Sequence, residues 1–302
     1  MEPIRTRYEP HREVSLRLTL APLGQGSTDP TLQRDAGGAW LTMATAAGAA
    51  SLHLVSRAGG VDAAAWGPGA ELAIAGVPAL LGSDDDDTGF EPALHPLVAE
   101  LHHRTPGLRL TRAARILPFL IPTVLAQKVT GIEAKRAWRE LVRRHGEPAP
   151  GPAPLGMRVA PPAGVWRRVP SWEWHRAGVG PQRSDTVMRI AAVGESLERA
   201  AADALADAER KLRSIPGIGG WTVAETLQRS HGDPDAVSVG DLHLCKRVGT
   251  ALVGHRVDDD GMLELLEPWR GQRQRVVRLI EAAGIGYERH GPRMTIPEHR
   301  AR

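Results

Sequence analysis

The sequence predicts an α+β fold in which a small antiparallel β-sheet precedes a larger, all-α part. Three observations predict it. Short runs with strand alternation are confined to the first 60 residues, and apolar residues at helical spacing dominate after residue 95. The charge divides in the same region, with six basic and twelve acidic residues in 1–93 against 32 and 23 in the remainder. Four consecutive aspartates, Asp84, Asp85, Asp86 and Asp87, mark the boundary between domains 1–90 and 91–302. They lack the spaced carboxylates and distal Glu of a calcium loop, so a solvated linker or an acidic helix N-terminus is expected.

Residues 14–20 alternate apolar and polar like a half-buried strand, and 39–44 and 50–55 are further strands between Gly- and Ala-rich turns. The Ala- and Leu-rich stretches 62–66 and 71–81 read as helices broken at 66–69. Helices are expected over 96–104 and 111–145, the latter from Ile116, Phe119, Leu120 and Val124, with Pro118 and Pro122 kinking or delimiting it. The Pro- and Gly-rich segment 147–162 predicts an extended loop. Helical periodicity returns over 171–177, 184–194, 196–214, 221–229, 241–253, 261–267 and 271–283.

An apolar content of 42% over 302 residues suffices for a sizeable core. The single cysteine, Cys245, excludes an internal disulfide, a four-cysteine iron–sulfur cluster and a Cys-based zinc finger. Neither an 18-residue apolar run nor a basic-then-apolar leader occurs, so the chain is expected to be soluble and cytoplasmic, with no membrane partner. Adjacent His102 and His103 point to divergent helix faces, and no metal-ligand spacing appears.

The most informative stretch is Ile215, Pro216, Gly217, Ile218, Gly219, Gly220, Trp221 and Thr222, followed one helix later by Asp241 in Val239-Gly240-Asp241-Leu242-His243. Pro216 stops one helix, and three glycines within four residues permit a tight hairpin whose amides can turn outward at the next helix N-terminus, where an anion binds. On this hairpin and Asp241, the chain resembles the helix-hairpin-helix DNA glycosylase superfamily. The early sheet, Leu125-Ala126-Gln127-Lys128-Val129 and Pro268-Trp269-Arg270 look like its bacterial 3-methyladenine DNA glycosylase II (AlkA-like) branch.

The resemblance implies a nucleoid-associated monomer acting on double-stranded DNA that carries a modified base. It assigns DNA contact to Pro216, Gly217, Ile218, Gly219, Gly220, Gln127 and Lys128, catalysis to Asp241, and the base pocket to Trp221, Gln127 and Trp174. It implies no cofactor beyond a monovalent cation on the hairpin carbonyls. Asp241 would stabilise the sugar cation as the N-glycosidic bond breaks, although an aspartate at a helix start also serves as an N-cap. Trp221 stands where strand-cleaving members carry a nucleophilic lysine, which implies a monofunctional hydrolase; its ring could face the base or pack between helices.

Lys128 occupies a wedge position that is usually apolar, and its methylene stem, a phosphate contact or an ordinary surface role all stand open. Around Arg273, Arg275 and Arg278 the pocket tryptophan of the branch is missing, and those arginines could meet phosphates, another base or solvent. Two competing readings therefore accompany the alkylated-base glycosylase. One is a glycosylase for an oxidised, deaminated or bulky phage-type base; the other is a non-catalytic helix-hairpin-helix DNA clamp.

Overall fold

A computed structural model describes residues 2–287; the end of the predicted second domain, 288–302, lies outside them. In chain order the elements are β1 (Ile4–Tyr8), α1 (Leu16–Thr19), β2 (Leu32–Arg34), β3 (Gly38–Thr45), β4 (Gly48–Arg57), β5 (Gly60–Trp66), α2 (Ala70–Ala75), α3 (Val77–Leu80), α4 (Pro96–Arg104), α5 (Leu117–Leu125) and α6 (Gly131–His145). There follow β6 (Glu147–Pro148), β7 (Arg158–Val159), α7 (Ala163–Trp166), α8 (Ser171–Arg176), α9 (Pro181–Ala192), α10 (Gly194–Ala200), α11 (Leu205–Arg213), α12 (Gly220–Ser230), α13 (Leu244–Val253), α14 (Asp259–Leu266) and α15 (Arg273–Ala282).

The five-stranded sheet has the order β1-β5-β4-β3-β2, antiparallel throughout. Period-2 alternation puts Leu41, Met43, Leu52, Leu54, Ala63 and Ala65 on one face, buried with Ala73, Val77 and Leu80 of α2 and α3. The other face stacks Trp40 on His53 at 4.2 Å and on Trp66 at 5.3 Å, with Met157 packed against the tryptophans. Thus the predicted loop 147–162 contains the two-residue strands β6 and β7 and lies over the sheet, where Thr42 Oγ1 donates to Arg158 O at 2.7 Å.

Several expectations change. Residues 62–66 belong to the interior strand β5 rather than a helix; their alanines are small enough for α2 to approach, and Val61, Ala63 and Ala65 bury one face. Residues 14–20 contain the helix α1 rather than a strand, capped by Ser15 accepting from Leu18 N, because Leu16 and Leu20 face the sheet core while Leu18 joins the core of α4, α13 and α15. Residues 111–116 are irregular, and α5 begins at Leu117, where the Glu198 carboxylate accepts the Ile116 and Leu117 amides.

The acidic run is not simply a solvated linker. Asp85 is buried, and its carboxylate takes both Arg275 Nη atoms at 2.6 and 3.1 Å and the Leu110 amide at 3.1 Å. Arg278 donates inward to Leu18 O, and Arg273 grips Asp235 bidentately. The three arginines of α15 are therefore internal ties, not a solvated or pocket-lining face. Among the described residues no helix is long and apolar enough to cross a membrane.

The helical core runs through α5, α6 and α7 to α12 and contains a stack of Trp138, Trp166 and Trp174 with centroids 6.3 and 5.7 Å apart. It supports the hairpin between α11 and α12 from beneath.

Candidate nucleic-acid interface and active site

The hairpin is shaped by two isoleucines. Ile215 and Ile218 are 8% and 7% exposed and packed with Leu212 and Val223, so Pro216, Gly217, Gly219 and Gly220 are turned outward. Gly217 has φ +97, and a Cβ there would lie 2.5 Å from Thr186 Oγ1 on α9; both facts require glycine. Gly219 starts α12 with no side-chain cap, and the amides of Gly219, Gly220 and Trp221 find no acceptor among the described residues. Uncapped N–H groups at a helix N-terminus form an anion site. Arg213 lies beside Gly220, and Arg189 donates to Pro216 O at 3.4 Å, so guanidinium groups flank the turn. Sequence reading missed both, although each lies on a helix adjoining the hairpin.

The Pro216 and Gly217 carbonyls accept from Arg189 and from Gln127, respectively. No group of three or more His, Cys, Asp or Glu side chains that could hold a metal occurs among the described residues.

Asp241 follows a loop pinned from several sides. Gln228 donates to Ala236 O and Ser238 Oγ at 2.8 and 2.9 Å, and Ser238 Oγ donates to Glu225 Oε1 at 2.5 Å. Asp235 accepts the Gly271 amide, and Asp259 accepts the Gly240 amide at 3.0 Å. Gly240 has φ +89, the left-handed turn that delivers Asp241 to the start of α13. These ties also escaped sequence reading; the Glu225 and Gln228 pair at i, i+3 on one helix face is the signal that could have shown them.

Asp241 Oδ1 accepts the His243 and Leu244 amides at 2.8 and 2.9 Å, and Oδ2 accepts the Trp221 indole N–H at 3.3 Å. The aspartate is thus at once a helix cap and a half-buried carboxylate beside an aromatic ring. Exposed Val239 and Leu242 flank it.

The loop after α5 brings Gln127 to the hairpin. Gln127 Nε2 donates to Gly217 O and Thr222 Oγ1, and Lys128 is exposed with φ +55. Trp174 is a correction: it is 3% exposed, stacked on Trp166, and its indole donates to Val169 O. It borders a hollow of roughly 490 Å³ between α8 and α9 whose lining includes neither Trp221 nor Asp241. A ring held in the core offers no face to an extruded base. Two lysines elsewhere in this part are engaged: Lys211 is paired with Asp203 at 2.6 Å, and Lys246 lies over the Tyr287 ring.

No protein-family model matches the sequence, and no curated protein matches it. Solved structures do. A 3-methyladenine DNA-glycosylase from Archaeoglobus fulgidus superposes with a TM-score of 0.75 at 16% identity, over 91% of this chain and 97% of that one. An 8-oxoguanine glycosylase/lyase from Clostridium acetobutylicum, in complex with dsDNA containing cytosine opposite 8-oxoG, gives 0.68 at 12% identity, over 94% and 99%. The Schizosaccharomyces pombe 3-methyladenine DNA glycosylase in complex with abasic DNA gives 0.51 at 17% identity, over 67% and 97%. At these identities the likeness is one of architecture: the chain has the fold of DNA glycosylases that differ in the base they act on.

Proposed function

We propose that this protein is a monofunctional DNA glycosylase that grips duplex DNA through its hairpin, flips out an alkylated base and hydrolyses the N-glycosidic bond. The observation that carries the reading is the meeting of the Trp221 indole with the Asp241 carboxylate, one helix away from unpaired amides. The amides of Gly219 and Gly220, flanked by Arg213 and Arg189, suit a backbone phosphate. Lys128, standing out of its loop beside the hairpin, suits the gap left by the extruded nucleotide.

Asp241 suits stabilisation of the cation that develops on the deoxyribose as the C1′–N bond breaks, and orientation of the water that adds to C1′. A cationic N-alkylpurine suits the π face of Trp221, because the ring quadrupole attracts positive charge. Both the 3-methyladenine and the 8-oxoguanine glycosylases share the fold, so the alkylated base rests on Trp221 and on the AlkA-like resemblance. Trp221 at the lysine position supports hydrolysis without strand cleavage.

Mass spectrometry of bases released from methylated, oxidised and deaminated DNA tests the reading. Release of N-methylpurines, leaving an abasic site uncut until alkali is added, is expected. Release confined to oxidised or deaminated bases would move the substrate class, and tight binding to abasic DNA without release of any base would favour the non-catalytic clamp.

A further inference from the structure

We infer that Gln127 is a positioning residue whose side-chain amide ties the Lys128 loop to the phosphate-binding hairpin, so that grip and insertion act as one unit. The inference rests on the glycosylase reading above. Gln127 Nε2 donates to Gly217 O at 3.0 Å and to Thr222 Oγ1 at 2.9 Å. These acceptors stand on either side of the open amides of Gly219 and Gly220, one in the turn and one in the first turn of α12. Both hydrogens of the amide are engaged by the hairpin, so its donor side is committed there.

The rest of the loop is anchored without Gln127. Arg183 Nη1 donates to Leu125 O at 2.7 Å and its Nη2 to Gly178 O at 2.9 Å. Beyond the loop, Thr130 and Glu133 form a capping box that starts α6. Between these anchors Lys128 is exposed in the left-handed region, where a non-glycine residue stays only when its surroundings hold it. Gln127 is the direct link from Lys128 to the hairpin. A hairpin seated on a phosphate therefore sets the height at which Lys128 meets the base stack. Removing the link leaves α5 and α6 in place and lets Lys128 drift.

The test compares single-turnover release of 7-methylguanine from two synthetic duplexes. In one the lesion is paired with cytosine; in the other it sits in a one-nucleotide bulge, where no pair is broken and no gap is opened. Gln127→Ala is expected to slow release about ten- to hundredfold from the paired duplex and less than about threefold from the bulge, since only the first needs insertion. Gln127→Glu, which has no N–H for Gly217 O, is expected to behave like Gln127→Ala.

Release from the bulge reports that each variant is folded. The double variant Gln127→Ala/Lys128→Ala is expected to be no slower than Lys128→Ala alone, because Gln127 acts through Lys128. Equal losses on both duplexes, or losses that multiply in the double variant, would overturn the inference. A wild-type protein that releases nothing from either duplex would refute the alkylated-base reading on which the inference rests, a distinguishable result.

Discussion

The indole N–H of Trp221 lies 3.3 Å from Oδ2 of Asp241, joining the first turn of the hairpin's second helix to the carboxylate twenty residues later. Backbone amides hold the other oxygen, so the carboxylate is oriented from two sides. Trp221→Phe keeps a ring but removes the donor. A hydrogen bond to a charged group contributes about 1.5–3 kcal/mol, so a loss of roughly ten- to hundredfold in single-turnover base release is expected. Rapid-quench kinetics on methylated duplex checks it, and release at the wild-type rate would mean that the contact plays no part.

Gly217→Ala tests the grip. The added Cβ meets Thr186 at 2.5 Å from a backbone with φ +97, so the turn must shift and the Gly219 and Gly220 amides with it. Duplex affinity is expected to fall, and the slope of log K against log salt is expected to shrink by about 0.9 for one lost phosphate contact. Fluorescence anisotropy across a salt series measures both.

The buried pair of Asp85 and Arg275 gives a stability prediction. Their side chains are 1% and 3% exposed. Asp85→Ala leaves a buried guanidinium uncompensated and is expected to cost about 3–5 kcal/mol in urea unfolding, whereas Asp85→Ala/Arg275→Met is expected to cost much less.

That pair also shows where sequence reading stopped. Asp85 looked like its three neighbours, and only the fold distinguishes the one aspartate that turns inward to a helix 190 residues later. Most helices of the second part were legible because each turns an apolar stripe to one of two buried cores, although 196–214 is two helices, α10 and α11, broken at 201–204; the hairpin was legible because Pro216 and its glycines are local requirements. The Asp62–Trp66 stretch was not legible: alanine suits either periodicity, and its strand character comes from pairing with β1 and β4. Residues 14–20 alternate because a short helix serves two cores, not because one face is solvated. At the site, Trp221 was placed at the start of the hairpin's second helix by sequence, whereas the tie of Gln127 to Gly217 and Thr222 was not legible because it joins segments about ninety residues apart. Nor was the position of Trp174, because a tryptophan's burial depends on Trp166 and Val169 rather than on its neighbours in the chain.

Burial raises the carboxyl pKa of Glu198 above its ordinary value, partly offset by the Leu117 and Ile116 amides and by Arg115. A raised carboxyl pKa stabilises the fold below the unfolded-state value, and that contribution is lost as pH rises through the folded-state pKa. Glu198→Gln removes the titration while keeping an acceptor for those amides. Relative to the wild type, its Tm is expected to improve as pH rises from about 4 toward 7, as differential scanning calorimetry can show. A Tm difference independent of pH would contradict this.

The most direct measurement is single-turnover release of N-methylpurines by Asp241→Asn, read by mass spectrometry beside duplex affinity from anisotropy. Removing the carboxylate's charge from beside the developing sugar cation is expected to slow release by about a thousandfold while leaving the Kd for duplex within about threefold. Release by Asp241→Asn at the wild-type rate would contradict the assignment of catalysis to Asp241.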